Sequence, residues 1–207
     1  LGLSLLLAAQ TTFAGVLTLV PGTKAVEGVN VAKSATAALP NGAVELATLG
    51  AGLRTKKVVI TDVKVYVAQV FGSADKYVRT DVGALVSVAA MPAAAVRLTF
   101  LRAVDAPTVQ TSFRDALVAN GVSLNKAEIT AFLNAVKASG DAGDKKSLTI
   151  VTATSASGDT VIYEGTAGAA TTIGGPKGFA KDVLSIWLGK PSDDGVKKLK
   201  AQLLKTP

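Results

Sequence analysis

The sequence predicts an α+β domain, a sheet of antiparallel strands carrying a layer of helices, on three observations. Two runs alternate with the period of a strand: residues 58–67, rich in β-branched side chains, and 96–104, where Val96, Leu98 and Phe100 share one parity against Arg97 and Thr99. Three later stretches carry apolar residues at helical spacing. They are Val109, Phe113, Leu117 and Val118, then Ile129, Phe132, Leu133 and Val136, then Phe179, Val183, Leu184 and Trp187. The apolar content, 49% of 207 residues, is mostly aliphatic with only 5% aromatic, which suits a sheet-like core of small side chains in one domain.

Residues 1–20, LGLSLLLAAQTTFAGVLTLV, hold no charge and run into Pro21-Gly22. They read as the apolar part of a secretory signal, with cleavage expected after Ala14 or Ala25 and Ala25 preferred. The domains are then 1–25, signal-like, and 26–207, and the expected location is periplasmic or secreted. Left uncleaved, the same run would be a membrane anchor, the one membrane contact expected, although Gln10, Thr11 and Thr12 weaken a spanning segment.

Strands are expected near 29–32 and 43–49, on either side of a turn at Pro40-Asn41-Gly42. The stretch 49–71 follows, with a hairpin tip or a continuing edge at Thr55-Lys56-Lys57. Its odd positions Val59, Val63, Val65 and Val67 form a dry face broken by the hydroxyl of Thr61, and its even positions mix Val58 and Ile60 with Asp62, Lys64 and Tyr66. A loop over 72–80 leads to a helix at 81–91 with Asp81 as cap, and Pro92 stops it. After the strand at 96–104, Asp105 and Pro107 open a helix that ends at Asn120-Gly121, and a second helix runs over 125–139 to Gly140. A hairpin over 147–154 and 160–165, a short strand before Gly175, and helices at 176–188 and 192–204 complete the chain.

Composition excludes several chemistries. Histidine and cysteine are absent, which removes Ser-His-Asp and Cys-His catalysis, a His-held zinc, iron–sulfur ligation and disulfides. The 22 Lys and Arg against 15 Asp and Glu give +7, spread along the chain rather than clustered, and few rings are present to stack on bases. Nucleic acid is not an expected partner. Gly174-Gly175-Pro176-Lys177-Gly178 lacks the spacing and the Lys-Ser or Lys-Thr pair of a phosphate loop and reads as a turn before a helix. No cofactor and no metal is expected, and Glu128, Asp141, Asp144 and Glu164 are too scattered for a two-carboxylate hydrolase.

Arg54 is the first candidate among the groups that remain. Gly50-Ala51-Gly52 delivers it into the β-branched run, and glycines there permit a close backbone approach or a bulge. The plainer alternative is a solvated charge beside two strand-shaping glycines.

The string Gly50-Ala51-Gly52-Leu53-Arg54, followed by a strand through Val65-Tyr66-Val67, resembles the signature of the chalcone isomerase-like family. The likeness extends over about 26–204 and includes the closing stretch DVLSIWLGKPSDDGVKKLKAQLL. The resemblance implies an open-faced β-sandwich, with helices laid on a large sheet and a ligand cleft between them. In the plant enzymes of that family an arginine, a threonine on the next strand, a tyrosine and an asparagine on a later helix, and a closing-helix Thr or Ser surround the substrate. By that resemblance Arg54, Thr61 and Asn120 match the arginine, threonine and asparagine as catalytic candidates. Phe113 stands where the tyrosine would be, and Ile186 where the closing hydroxyl would be. Without those two hydroxyls efficient flavanone formation is not expected. Fatty-acid-binding members use the arginine to hold a carboxylate, so the expected ligand is a small apolar carboxylate or a phenolic molecule at Arg54, Thr61, Tyr66, Phe113, Asn120 and Ile186. Tyr66 either assists or is structural. Two alternatives stand beside this: an isomerase of the intramolecular lyase type using Arg54, and an envelope protein whose inherited cleft is empty.

Overall fold

A computed structural model describes residues 15–206. Among them eight strands pair antiparallel in sequence order into one open sheet. They are β1 (Leu17–Val26), β2 (Val29–Leu39), β3 (Gly42–Val58), β4 (Thr61–Gly72), β5 (Ala93–Phe100), β6 (Ser147–Thr154), β7 (Asp159–Glu164) and β8 (Ala170–Gly175). Five α-helices accompany them: α1 (Gly83–Ala89), α2 (Ala106–Ala119), α3 (Ala127–Ala138), α4 (Phe179–Leu188) and α5 (Asp194–Leu203). The α+β class expected from the sequence is the class found. No helix of the described residues is long and apolar enough to cross a membrane.

The sheet has a core on each face. On one, Tyr66, Ala68 and Val70 of β4, Val96, Leu98 and Phe100 of β5 and Leu148 and Ile150 of β6 meet the apolar stripes of α2, α3 and α4. On the other, Leu17, Ala32, Ala35, Ala37 and Leu46 from β1 to β3 pack against Phe71, Ala95, Val151 and Ile162. That second core requires the sheet to curl. The Val16 amide donates to Glu164 Oε2 at 2.8 Å, yet β1 and β7 are six steps apart in the strand order, about 29 Å at the ~4.8 Å spacing of a flat sheet. Strand-on-strand closure therefore covers one face and helices cover the other.

Local chemistry sets the helix ends. The Asp105 side chain accepts from the Thr108 amide at 2.7 Å and starts α2, and Asp193 accepts from the Val196 amide at 2.9 Å and starts α5. Asp81 is not the cap of α1: Thr80 Oγ1 accepts from the Gly83 amide at 3.0 Å, and Asp81 is drawn instead to Lys200 Nζ at 2.8 Å.

One expected boundary meets a strand, and one expected strand needs correction. The expected boundary between Ala25 and Val26 falls inside β1, whose pairing with β2 begins at Leu17↔Ala37. The sheet thus starts nine residues earlier, and a chain cut after Ala25 would lose a strand. Ala14 and the rest of residues 1–14 lie outside the described residues. The run 58–67 is not one strand. The β3–β4 turn falls at Val59-Ile60, closed by the pair Val58↔Thr61, while Thr55-Lys56-Lys57 continue β3. Further along β4, Arg54 pairs with Tyr66 and Thr55 with Lys64, leaving Val65 as the extra residue of a β-bulge. A bulge flips the parity of side chains, so the alternation read from the sequence does not continue through it.

Candidate functional site

Arg54 lies where β3, β4 and α5 meet. Gly50 and Gly52 let α5 come down onto β3: a Cβ at Gly50 would overlap the Leu203 carbonyl, and one at Gly52 would stand 2.7 Å from Gln202 Cβ. The Leu53 amide then donates to Gln202 Oε1 at 3.0 Å, fixing helix to strand one residue before the arginine. Gly195 opens the same gap from the helix side, since a Cβ there would collide with Arg54 Nη1 and the Thr55 carbonyl. The close approach that these glycines were expected to permit is therefore the approach of a helix.

The guanidinium placed there is buried, with 9% of the side chain exposed, and is not alone. Nη2 donates to Asp193 Oδ2 at 2.5 Å, while Nη1 is buried with no acceptor among the described residues. Burial by itself would raise the Asp193 carboxyl, but the Val196 amide and the Arg54 guanidinium donating to it hold it below its ordinary range. The Asp193 side chain is 44% exposed, so one partner of this pair is fixed in the protein and the other borders water.

Across the ladder from Arg54 stands Tyr66. Burial pushes its phenol up against the opposing pull of Arg54 and of Trp187, whose indole Nε1 donates to Tyr66 Oη at 3.2 Å. A neutral phenol that already accepts from an indole keeps its own proton to donate.

These groups line a cavity of about 330 Å³, near the lower bound of the ~300–1,000 Å³ common for small-molecule sites. Its apolar lining comes from Val63 and Val65 of the ribbon, Phe100 of β5, Val109 and Phe113 of α2 and Ile186 of α4, and Thr108, Ser112 and Ser192 add hydroxyls. Phe113 sits edge-on to Trp187 at 5.3 Å and stacked near Phe132 at 6.1 Å, so the α2 wall is backed by rings rather than by space. The lining carries the cations Arg54, Lys56 and Arg102 and the carboxylates Asp105, Asp115 and Asp193. Those charges balance, so any preference for an anion comes from where the charges sit: only Arg54 among them is buried.

Of the six residues expected at the site, the fold gathers four, Arg54, Tyr66, Phe113 and Ile186, around this cavity. Thr61 and Asn120 are outside its lining. Thr61 is exposed at the far end of the ribbon, because the strand turns at Val59-Ile60 and the β4 residue that faces Arg54 is Tyr66. Asn120 ends α2 and is fully engaged. Its Nδ2 donates to the carbonyls of Ala116, Ser185 and Lys190 at 2.8, 3.3 and 3.0 Å, and its Oδ1 accepts from the Lys190 amide at 2.6 Å. Its amide joins α2 to α4 and the α4–α5 link, and both of its Nδ2 hydrogens are committed there. The residue that sequence reasoning missed is Asp193. Its place in Ser192-Asp193-Asp194 signals a helix cap, and nothing in the spacing signals that the cap also reaches an arginine 139 positions away.

No curated protein matches the chain. A family model described as chalcone isomerase-like matches residues 23–205, which takes in the whole of the sheet from the end of β1 and all five helices. With that match, the open sheet under its helical layer and the arginine beneath α5, the chain belongs to the chalcone isomerase-like family.

Proposed function

We propose that the cavity binds a small apolar anion, a carboxylate or a phenolate, with Arg54 as the anchor, and that the protein is a binding protein rather than an efficient isomerase. The observation that carries this reading is the buried, incompletely satisfied guanidinium in the wall of a cavity whose other lining charges are all exposed. A buried donor without an acceptor costs about 1–3 kcal/mol, and an anionic oxygen beside it recovers that cost through a charge-assisted hydrogen bond. A ligand oxygen competes with Asp193, which can turn to water because it is half-exposed. The Tyr66 hydroxyl, opposite Arg54, supplies a second donor. Phe113 and Ile186 offer no hydroxyl to hold a water or a ketone.

A second reading, intramolecular lyase chemistry, draws on the adjacency of Arg54 and Tyr66. In it the phenolate oxygen adds to the enone β-carbon, and Arg54 stabilises the enolate charge that develops as the ring closes. One set of assays separates the two. Titration with dodecanoate should show binding that Arg54→Gln weakens by at least about tenfold, the worth of one charge-assisted bond. Chalcone absorbance should decay at the uncatalysed rate. Equal dodecanoate affinity in parent and Arg54→Gln would refute the anchor, and chalcone turnover lost in Arg54→Gln would establish the lyase.

A further inference from the structure

The β3–β4 ribbon continues past the body of the protein. Pairing between β4 and β5 stops at Tyr66↔Phe100, whereas pairing between β3 and β4 goes on to Val58↔Thr61. Residues 55–65 are therefore a two-stranded arm with no third strand, and such a pair is marginal unless something packs on it. Its inner side, Val58, Val63 and Val65, lines the cavity. Its tip is apolar and in water: Val58, Val59 and Ile60 are 50%, 88% and 87% exposed.

The residues at this tip run against what the turn asks for. Val59 holds φ +56°, the left-handed region that β-branched residues avoid. A two-residue hairpin turn with positive φ at its first position takes glycine there, followed by a polar residue. Folding would be better served by Gly-Ser than by Val-Ile, so the apolar pair calls for another explanation.

Charge around the tip supplies one. Asp62 is held by Lys198 Nζ at 3.2 Å, and Glu27, on the neighbouring β1–β2 turn, by Lys64 Nζ at 2.6 Å. Lys56 and Lys57 are exposed and form no ion pair among the described residues, which leaves two positive charges beside three exposed apolar side chains. Exposed apolar residues flanked by lysines suit a membrane interface with anionic headgroups. A protein partner is less favoured, because three side chains at the end of a free ribbon fall far short of the ~800 Å² per partner of a stable interface.

We propose that this arm docks the protein on an anionic lipid surface, with Val59 and Ile60 entering the acyl-chain boundary and Lys56 and Lys57 meeting the headgroup phosphates. This contact is separate from the N-terminal apolar segment. It turns the mouth of the cavity towards the bilayer, so that an apolar anion passes between lipid and cavity along the wall made by Val58, Val63 and Val65. Docking stands on the arm alone, and only that transfer rests on the cavity reading given above.

Sedimentation of the full chain with phosphatidylcholine vesicles, with and without phosphatidylglycerol, tests this. The parent should bind the phosphatidylglycerol vesicles preferentially. Val59→Gly with Ile60→Ser should lower binding by about tenfold or more, because two buried aliphatic side chains are lost. Lys56→Gln with Lys57→Gln should weaken binding and flatten its dependence on salt. The tip variant suits the turn better than the parent and should fold and bind dodecanoate in solution as the parent does, so a docking defect is not a folding defect. Equal sedimentation of parent and tip variant, or none of the parent, would overturn the proposal. A concentration-dependent dimer abolished by the tip variant, without vesicle binding, would assign the tip to a second copy and overturn it as well. A protein that docks but takes up no dodecanoate keeps the docking and loses the cavity reading.

Discussion

The inner and outer halves of the β3–β4 ribbon are made of similar residues and have different fates. From Gly50 to Arg54 and from Tyr66 to Phe71 the ribbon lies inside the sheet, with β5 alongside and α5 above, and Tyr66, Ala68, Val70 and Phe71 are at most 9% exposed. From Thr55 to Val65 there is no β5, and the same kind of β-branched alternation ends with Val59 and Ile60 in solvent. Alternation marks a dry face only where another element comes to cover it. In the inner half glycine admits that element, and in the outer half α5 reaches Thr55 and Asp62 and the β1–β2 turn reaches Lys64, while Val59 and Ile60 at the tip stay uncovered.

Three substitutions sharpen this contrast. The largest effect should follow Gly50→Val, whose side chain meets the Leu203 backbone. The helix must shift, at a cost of about 3 kcal/mol measured as a displaced denaturation midpoint with unchanged slope. Val59→Gly in the outer half should do the reverse, leaving stability unchanged or raising it by up to about 1 kcal/mol as the left-handed Val59 is relieved. A loss comparable to that of Gly50→Val would mean that the arm is packed after all.

Asp193→Asn should have the smallest effect and the most specific. The carboxyl of Asp193 titrates below its ordinary value of 3.8 in the folded protein. Its stabilising contribution is therefore complete above pH 3.8 and is lost as the pH falls through the lowered folded value. The asparagine keeps the helix cap and removes that part of the acid sensitivity, less than about 1 kcal/mol for a side chain this exposed. Unfolding free energies of parent and variant, followed by circular dichroism across the acid range, should differ above pH 3.8 and converge as the pH falls.

Much of this was legible in the sequence. Helix stripes, the Asp105 cap, the Pro40-Asn41 turn and the 147–165 hairpin are local patterns that tertiary contacts did not override. Gly50, Gly52 and Arg54 were legible as a unit, including the close approach the glycines permit, although nothing local showed that α5 is what approaches. Four of the six site residues converge because they sit on long elements whose faces the sheet fixes. Thr61 was misplaced because a Val-Ile turn carries no turn signal. The bulge at Val65 broke the period on which the face assignment rested. Asn120 was legible as a helix end, but two of the carbonyls that occupy it come from α4 and the α4–α5 link, 65 and 70 positions away. Asp193 was hidden for the same reason: a cap is a local signal, and an ion pair across 139 positions is not.

The central claim is that Arg54 is shared between an internal carboxylate and an anionic ligand. Calorimetric titration of the parent and of Asp193→Asn with dodecanoate, and with dodecanol as the uncharged control, tests it most directly. The account predicts that removing the competing carboxylate tightens dodecanoate by about tenfold and leaves dodecanol unchanged. Dodecanoate that binds Asp193→Asn no better than the parent, or dodecanol that tightens equally, would contradict it.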